Sequence, residues 1–436
     1  MTEERHIAVR IEKDQEGRYI SVPFDLPERV AWFSVTYDYP HSEEHPDGDW
    51  KISTTVNRID LALVNPDGEQ AGSSGAVRRE VQIGGLAATP GYRPQTIQAG
   101  RWTIVAGAYR IVPDGVTVHY TIRWEKKTRA WFLGDLHTHT VASDGILTAD
   151  ELARHGRRHG LDFIAVTDHN NALPAAALPS VDGLTVIPGL EWTHYQGHAN
   201  MLGLDRPYTG SFHANTRQEA VAHFTEARAN GAVIVINHPC DPLYKFAFGL
   251  ERFPYDMLEV WNGPMRESNV RAIAFWHQKL VSGEKIAACC GSDYHRDSIF
   301  QMLGGPCLAV LAWSREVKDL LEAAVLGHSY LVYGPDGPRL TMTCGQAVLG
   351  DTVAWNRDCR LDLYAERLQA GDSVRLIGPE GVLAAWQAEH AGSLKTSFAV
   401  TGPGFVRAEI HRVFAREVPV LPALVSNPIY FDRGDV

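Results

Sequence analysis

The sequence predicts a mixed α/β protein in which a central strand-and-helix domain is flanked by two all-β modules. Three observations predict it. Short apolar runs alternate with polar residues before about residue 126 and again after about residue 338. Between them, buried-type strands alternate with helical stretches, the rhythm of a parallel α/β sheet or barrel. Two helix starts in that middle region carry a T-x-x-E capping box, Thr148 with Glu151 and Thr216 with Glu219. The expected boundaries are therefore 1–126, 127–337 and 338–436.

In the first region, RYISVPFDL, VAWFSVTYDY, RIDLALVNPDG, RWTIVAGAY and VTVHYTIRWE are separated by Pro, Gly and Asp, as in an antiparallel β-sandwich. In the second, WFLGDL, DFIAVT, LTVIPGL, NMLGL, AVIVIN, MLEVWN, KIAACC and CLAVLA read as strands, and Gly160 and Gly231 stand where helix-ending glycines belong. In the third, RLTMTCG, CRLDLYAE, DSVRLIGPEG, TSFAVTGPG, FVRAEIHRV and NPIYFD read as a second β-sandwich module.

A chain of 436 residues exceeds what one core ordinarily organises. Its 44% hydrophobic and 21% charged residues are those of a folded protein. The net charge of −11, without a run of Lys or Arg, speaks against capture of nucleic-acid backbone except as a short nucleotide substrate. Six cysteines show no C-x-x-C spacing and are expected as reduced thiols. No apolar run reaches membrane-spanning length, and the charged start MTEERHIAVRIEKD does not read as a signal peptide, so a cytoplasmic location is expected.

The chemistry is concentrated at the ends of the central strands. In LGDLHTHTVASDG, His137 and His139 are two apart, so period-two geometry sends both imidazoles to one side, with Asp144 on the following loop. FIAVTDHN places Asp168 and His169 at a strand end; PGLEW places Glu191, VINHP places His238, and CCGSDYH places Asp293 and His295. One such histidine is more often a core or surface residue. Five strand ends carrying His or carboxylate must converge on partners or on metal, because buried charges are paired or coordinated. Imidazoles and carboxylates without Cys suit Zn, Mn, Fe or Ni in a reactive site rather than a structural zinc.

The succession H-x-H, S-D-G, T-D-H-N, G-x-E, N-H-P and G-S-D-x-H resembles the PHP (polymerase and histidinol phosphatase) superfamily over about 200 residues. The D-Y-H of the last motif and the V-W-N-G before it are more similar to the CehA/McbA-type metallohydrolases. The resemblance implies a distorted (β/α)7 barrel with two or three divalent cations. It implies His137, His139 and Asp293 on one metal, Glu191 bridging to a second held by His238, and Asp144, His169 and His295 around a third. Where some phosphatases have His in the first-motif loop, this chain has Asp144. Glu191, Asp293, His295 and Asp168 are the candidate catalytic residues, Asp168 either orienting a ligand histidine or capping its loop.

The second metal needs a further ligand, and the stretch THYQGHANMLG offers His194, His198 and Asn200. His198 and Asn200 share a strand face; imidazole is the stronger ligand and favours His198, while Asn200 stays open as the alternative. His194 is expected at the pocket rim, and Lys245, Arg296 and Asn262 join it as candidate substrate contacts. The expected function is hydrolysis of a small, anionic ester by a metal-activated water, a phosphate ester or nucleotide first, with a carbamate, amide or carboxylic ester as the alternative. A metal-binding scaffold without catalysis is the third reading, and no core motif is broken to favour it.

Overall fold

The computed structural model describes residues 2–47, 50–298 and 301–433. Its chain divides into two compact units, Met1–Arg129 and Ala130–Val436.

In the first unit the alternation is used as the sequence suggests. Tyr19–Leu26 buries Val22, Phe24 and Leu26 while the residues between them face out. Two four-stranded antiparallel sheets result. One contains Thr2–Ile11, Val116–Lys126, Val30–Asp38 and Glu80–Gly84; the other contains Tyr19–Leu26, Gly100–Arg110, Arg58–Val64 and Gln70–Ser74. Their inner faces share one apolar core, where Phe33 of the first sheet meets Trp102 of the second edge-on at 4.8 Å.

The second unit is mixed α/β but strand-rich, with four α-helices among the described residues: α1 (Ala149–Arg158), α2 (Arg217–Ala229), α3 (Glu267–Val281) and α4 (Val317–Val325). Both capping boxes form, at Thr148 with Glu151 and at Thr216 with Glu219. Gly160 (φ +81°) and Gly231 (φ +95°) follow α1 and α2 in the left-handed conformation that glycine adopts without strain.

A single (β/α)7 barrel is not what the strand pairing displays. The strands Gly189–His194, Gly197–Leu202, Val233–Ile236, Met257–Asn262 and Ala287–Gly291 form one sheet. Its first three members pair antiparallel and the rest parallel. The cause is local: only Tyr195 and Gln196 separate the first two strands, a link that permits a hairpin and forbids a parallel crossover.

The strands Thr185–Ile187, Phe163–Ala165, Ala130–Asp135 and Cys307–Ala312 begin a second, eleven-stranded sheet. This sheet continues past residue 337, because Ser329–Val332 pairs with Leu421–Ser426. Single bridges, Thr138 to Tyr294 and His169 to Glu191, connect the two sheets at the strand ends that carry the histidines. No helix among the described residues is long and apolar enough to cross a membrane.

Candidate metal centre

Glu191 lies at the middle of the site. It sits in the Gly189–His194 strand and is 1% exposed. Five imidazoles surround its carboxylate. Oε1 is 3.1 Å from His198 Nδ1, 3.4 Å from His137 Nε2 and 3.5 Å from His238 Nε2. Oε2 is 2.8 Å from His169 Nδ1 and 3.6 Å from His139 Nε2. Burial alone would raise its pKa, but the nearby imidazoles, His137 first and then His169 and His198, hold it well below the usual carboxylate range.

Asp293 completes the inner wall, its Oδ1 3.0 Å from His139 Nε2 and 3.4 Å from His137 Nε2. Burial opposes ionisation of Asp293, yet these two imidazoles hold its pKa below the ordinary value. Burial works against the charged form of His137, and Asp293, Glu259 and Glu191 outweigh it, raising that pKa. For His139 burial prevails and the shift is downward.

Three overlapping groups have ligand atoms mutually within 4.8 Å: His137, His139 and Glu191; Glu191, His198 and His238; and His139, Asp144, His169 and His295. The first is buried throughout, and in the second only His198 is partly exposed. The third includes Asp144, whose side chain is 56% exposed and whose Oδ1 lies 3.1 Å from His295 Nε2. His137 Nε2, both ring nitrogens of His139 and His238 Nδ1 are buried without a hydrogen-bond partner. Such atoms cost about 1 to 3 kcal/mol each when left unpaired, so the donor set fits divalent cations. His137, His139, Glu191, His198 and His238 would hold a buried pair, and Asp144, His169 and His295 a more exposed third.

Strand ends alone do not make this geometry; a layer of polar residues beneath them does. Asp135, fully buried, accepts from the backbone N–H groups of His137 (3.2 Å), Ser292 (2.9 Å) and Gly304 (2.9 Å). Burial pushes its pKa up to about 6 against those hydrogen bonds. Asn237 donates to Glu191 Oε1 and to Asn200 Oδ1, both at 2.8 Å. Asn200 also donates to the Leu136 carbonyl (3.1 Å), so it lies beneath the ligands, while His198 stands in the group with Glu191 and His238.

Asp293 lies outside the three groups but against two of their imidazoles, His137 and His139, where it would join the same cation, whereas Asp168 is absent from the groups altogether. Its carboxylate accepts from Thr140 N–H, Thr140 Oγ1 and Ser143 Oγ at 2.7, 2.7 and 2.6 Å, which ties down the loop leading to Asp144. Asn262 donates to Glu259 and, at 3.4 Å, to Asp293. His194 stacks on Trp192 at 5.4 Å and lines the cavity rim. Lys245 and Arg296 are exposed and do not line the cavity.

Sequence reasoning missed Glu259 and Asp135. Each is an acidic residue inside an apolar strand, in MLEVWN and WFLGDL, and that mismatch with its surroundings was the available signal.

The cavity above the groups encloses about 1060 Å³. Tyr195, Phe212, Leu243 and Tyr244 are exposed apolar residues on its wall, and no Lys or Arg is among its described lining residues.

No protein-family model matches the chain. An 80-residue stretch is 38% identical to the 5'-3' exoribonuclease Rnm of Salmonella typhimurium and 36% identical to that of Escherichia coli. The match covers 16% of this chain and spans 27% of the length of those curated relatives. Among solved structures, the chain is similar to a two-domain protein from Bacteroides vulgatus containing a predicted PHP-like metal-dependent phosphoesterase. The TM-score is 0.41 with 17% identity, over 68% of this chain and 95% of that one. It is also similar to an amidohydrolase from Chromobacterium violaceum, with a TM-score of 0.28 and 16% identity over 38% of this chain and 89% of that one. At these scores neither structure assigns a reaction to this chain.

Proposed function

We propose that the protein is a metal-dependent hydrolase of the PHP type, similar to the CehA/McbA branch, acting on a small ester. One observation carries this reading: a buried carboxylate, Glu191, ringed by five imidazoles at the floor of an open cavity. The two bridges joining the sheets around the site support a ring of strands of the distorted-barrel kind. Divalent cations held there would supply a water of lowered pKa and offset negative charge in the transition state. The chain's own residues orient that chemistry: Glu191 faces both buried groups, Asp293 faces His137 and His139, and the cavity above admits the ester.

Phosphate esters are the first reading of the substrate. An anionic transition state suits the divalent cations that this floor would hold, and the 80-residue match is to an enzyme that its name describes as an exoribonuclease. The apolar wall of Tyr195, Phe212, Leu243 and Tyr244 supports the second reading, a neutral carbamate, amide or carboxylic ester, whereas Arg266 and Arg271 line an adjoining cavity that also reaches His238 and Asp293 and would suit an anion. Chromogenic phosphomonoesters, phosphodiesters and aryl carbamates, assayed after reconstitution with Mn, Zn or Fe, separate the two. Turnover of carbamates alone reverses the order, and turnover of none of them with any metal removes the hydrolase reading.

A further inference from the structure

The geometry points to Glu259 as a positioning residue that braces the ligands of both buried metal groups at once. The inference rests on reading the cluster as a metal centre. Glu259 lies in the Met257–Asn262 strand, 2% exposed, between the fully buried Leu258 and Val260. Among the described residues it pairs with an imidazole, that of His137. A carboxylate in such surroundings persists only where hydrogen bonds satisfy it.

Each of those bonds ends on the site. Oε1 is 2.9 Å from His137 Nδ1. With the Nδ1 proton given to Glu259, Nε2 keeps its lone pair free for a cation, and it faces Glu191 and Asp293 at 3.4 Å each. Oε2 accepts from the backbone N–H of His238 at 3.0 Å. His238 has φ +30°, a conformation unfavourable for a non-glycine residue, which the surrounding structure must hold in place. Oε2 also accepts from Asn262 Nδ2 at 3.1 Å, and the same amide reaches Asp293 Oδ2 at 3.4 Å.

One carboxylate therefore orients a ring in the first group, fixes the backbone of a ligand in the second, and steadies Asp293 through Asn262. Gly291 makes room for the arrangement: a Cβ there would lie 2.3 Å from His137 Cβ and 3.0 Å from Glu259 Oε1. Glu259 itself touches no reacting atom.

The test uses the full chain, stripped with a chelator and reloaded with Zn²⁺ or Co²⁺. Glu259→Gln is expected to weaken both tightly held cations by about tenfold or more and to change the visible absorption of the Co²⁺ form. Its metal-free near-UV circular dichroism and unfolding curve should match the unchanged protein. Unchanged affinities and spectrum overturn the inference, as does weakening that only parallels a damaged metal-free fold. If Glu259→Gln does not fold, Glu259→Asp decides. It keeps the charge and draws the carboxylate back by one methylene, so weakened binding supports the inference and unchanged binding overturns it. An unchanged protein that takes up neither ion overturns the metal-centre reading and this one together.

Discussion

Asp168 holds Thr140 twice, accepting from its backbone N–H and its hydroxyl at 2.7 Å each. Ser143 adds a third bond at 2.6 Å, so one buried carboxylate ties down the loop that presents Asp144. Asparagine offers one acceptor oxygen where the carboxylate offers two. Asp168→Asn is expected to destabilise the protein by about 1 to 3 kcal/mol. It should also weaken the exposed third metal more than the buried pair. Thermal unfolding and stepwise metal titration check both parts.

His137 and Asp293 belong to the shared inner wall, with His137 Nε2 3.4 Å from Asp293 Oδ1. His137→Ala and Asp293→Ala are each expected to lower metal content and turnover together, with turnover falling by about a hundredfold or more. Elemental analysis of the purified variants, beside their kinetics, provides the check. Full metal content with full activity would sink the ligand assignment.

His198 and Asn200 share a strand face but differ in depth. His198→Ala should remove one buried equivalent of metal. Asn200→Ala should retain that equivalent while losing about 1 to 3 kcal/mol of stability, because the Leu136 carbonyl and Asn237 lose a partner. Metal stoichiometry measured in both variants decides between the residues.

Tyr244 is 57% exposed on the cavity wall, its ring centroid 5.6 Å from that of His198. Aromatic contacts of this kind contribute about 0.5 to 1.5 kcal/mol. Tyr244→Ala should therefore raise KM for aryl substrates by about two- to tenfold while largely preserving kcat. Steady-state kinetics on matched aryl and alkyl esters would reveal an equal effect on both if the wall has no part in selection.

Glu409 is a buried carboxylate far along the sequence from these ligands. Burial would raise its pKa, but His411 and Arg407 bring it down to about 2. A folded-state pKa below the unfolded value near 4.5 means the stabilisation is complete above about 4.5 and fades as pH falls towards 2. Glu409→Gln should lower Tm at pH 7, and the gap from the unchanged protein should narrow between pH 5 and about 3. A gap independent of pH would remove the ionic contribution.

The sequence alone determined the local features. Period-two spacing put His137 and His139 on one side, the two T-x-x-E boxes announced α1 and α2, and acidic or imidazole residues marked the strand ends. These signals act within a few residues, through hydrogen bonds and pleat geometry that nearby sequence controls. Only the tertiary structure decided that Glu259 meets His137 across 122 positions, that the Asn200 side chain is taken up by Asn237 and the Leu136 carbonyl, and that a sheet crosses residue 337. Such pairings depend on which strands become neighbours when the whole core closes, and a periodicity read along the chain carries no record of that choice.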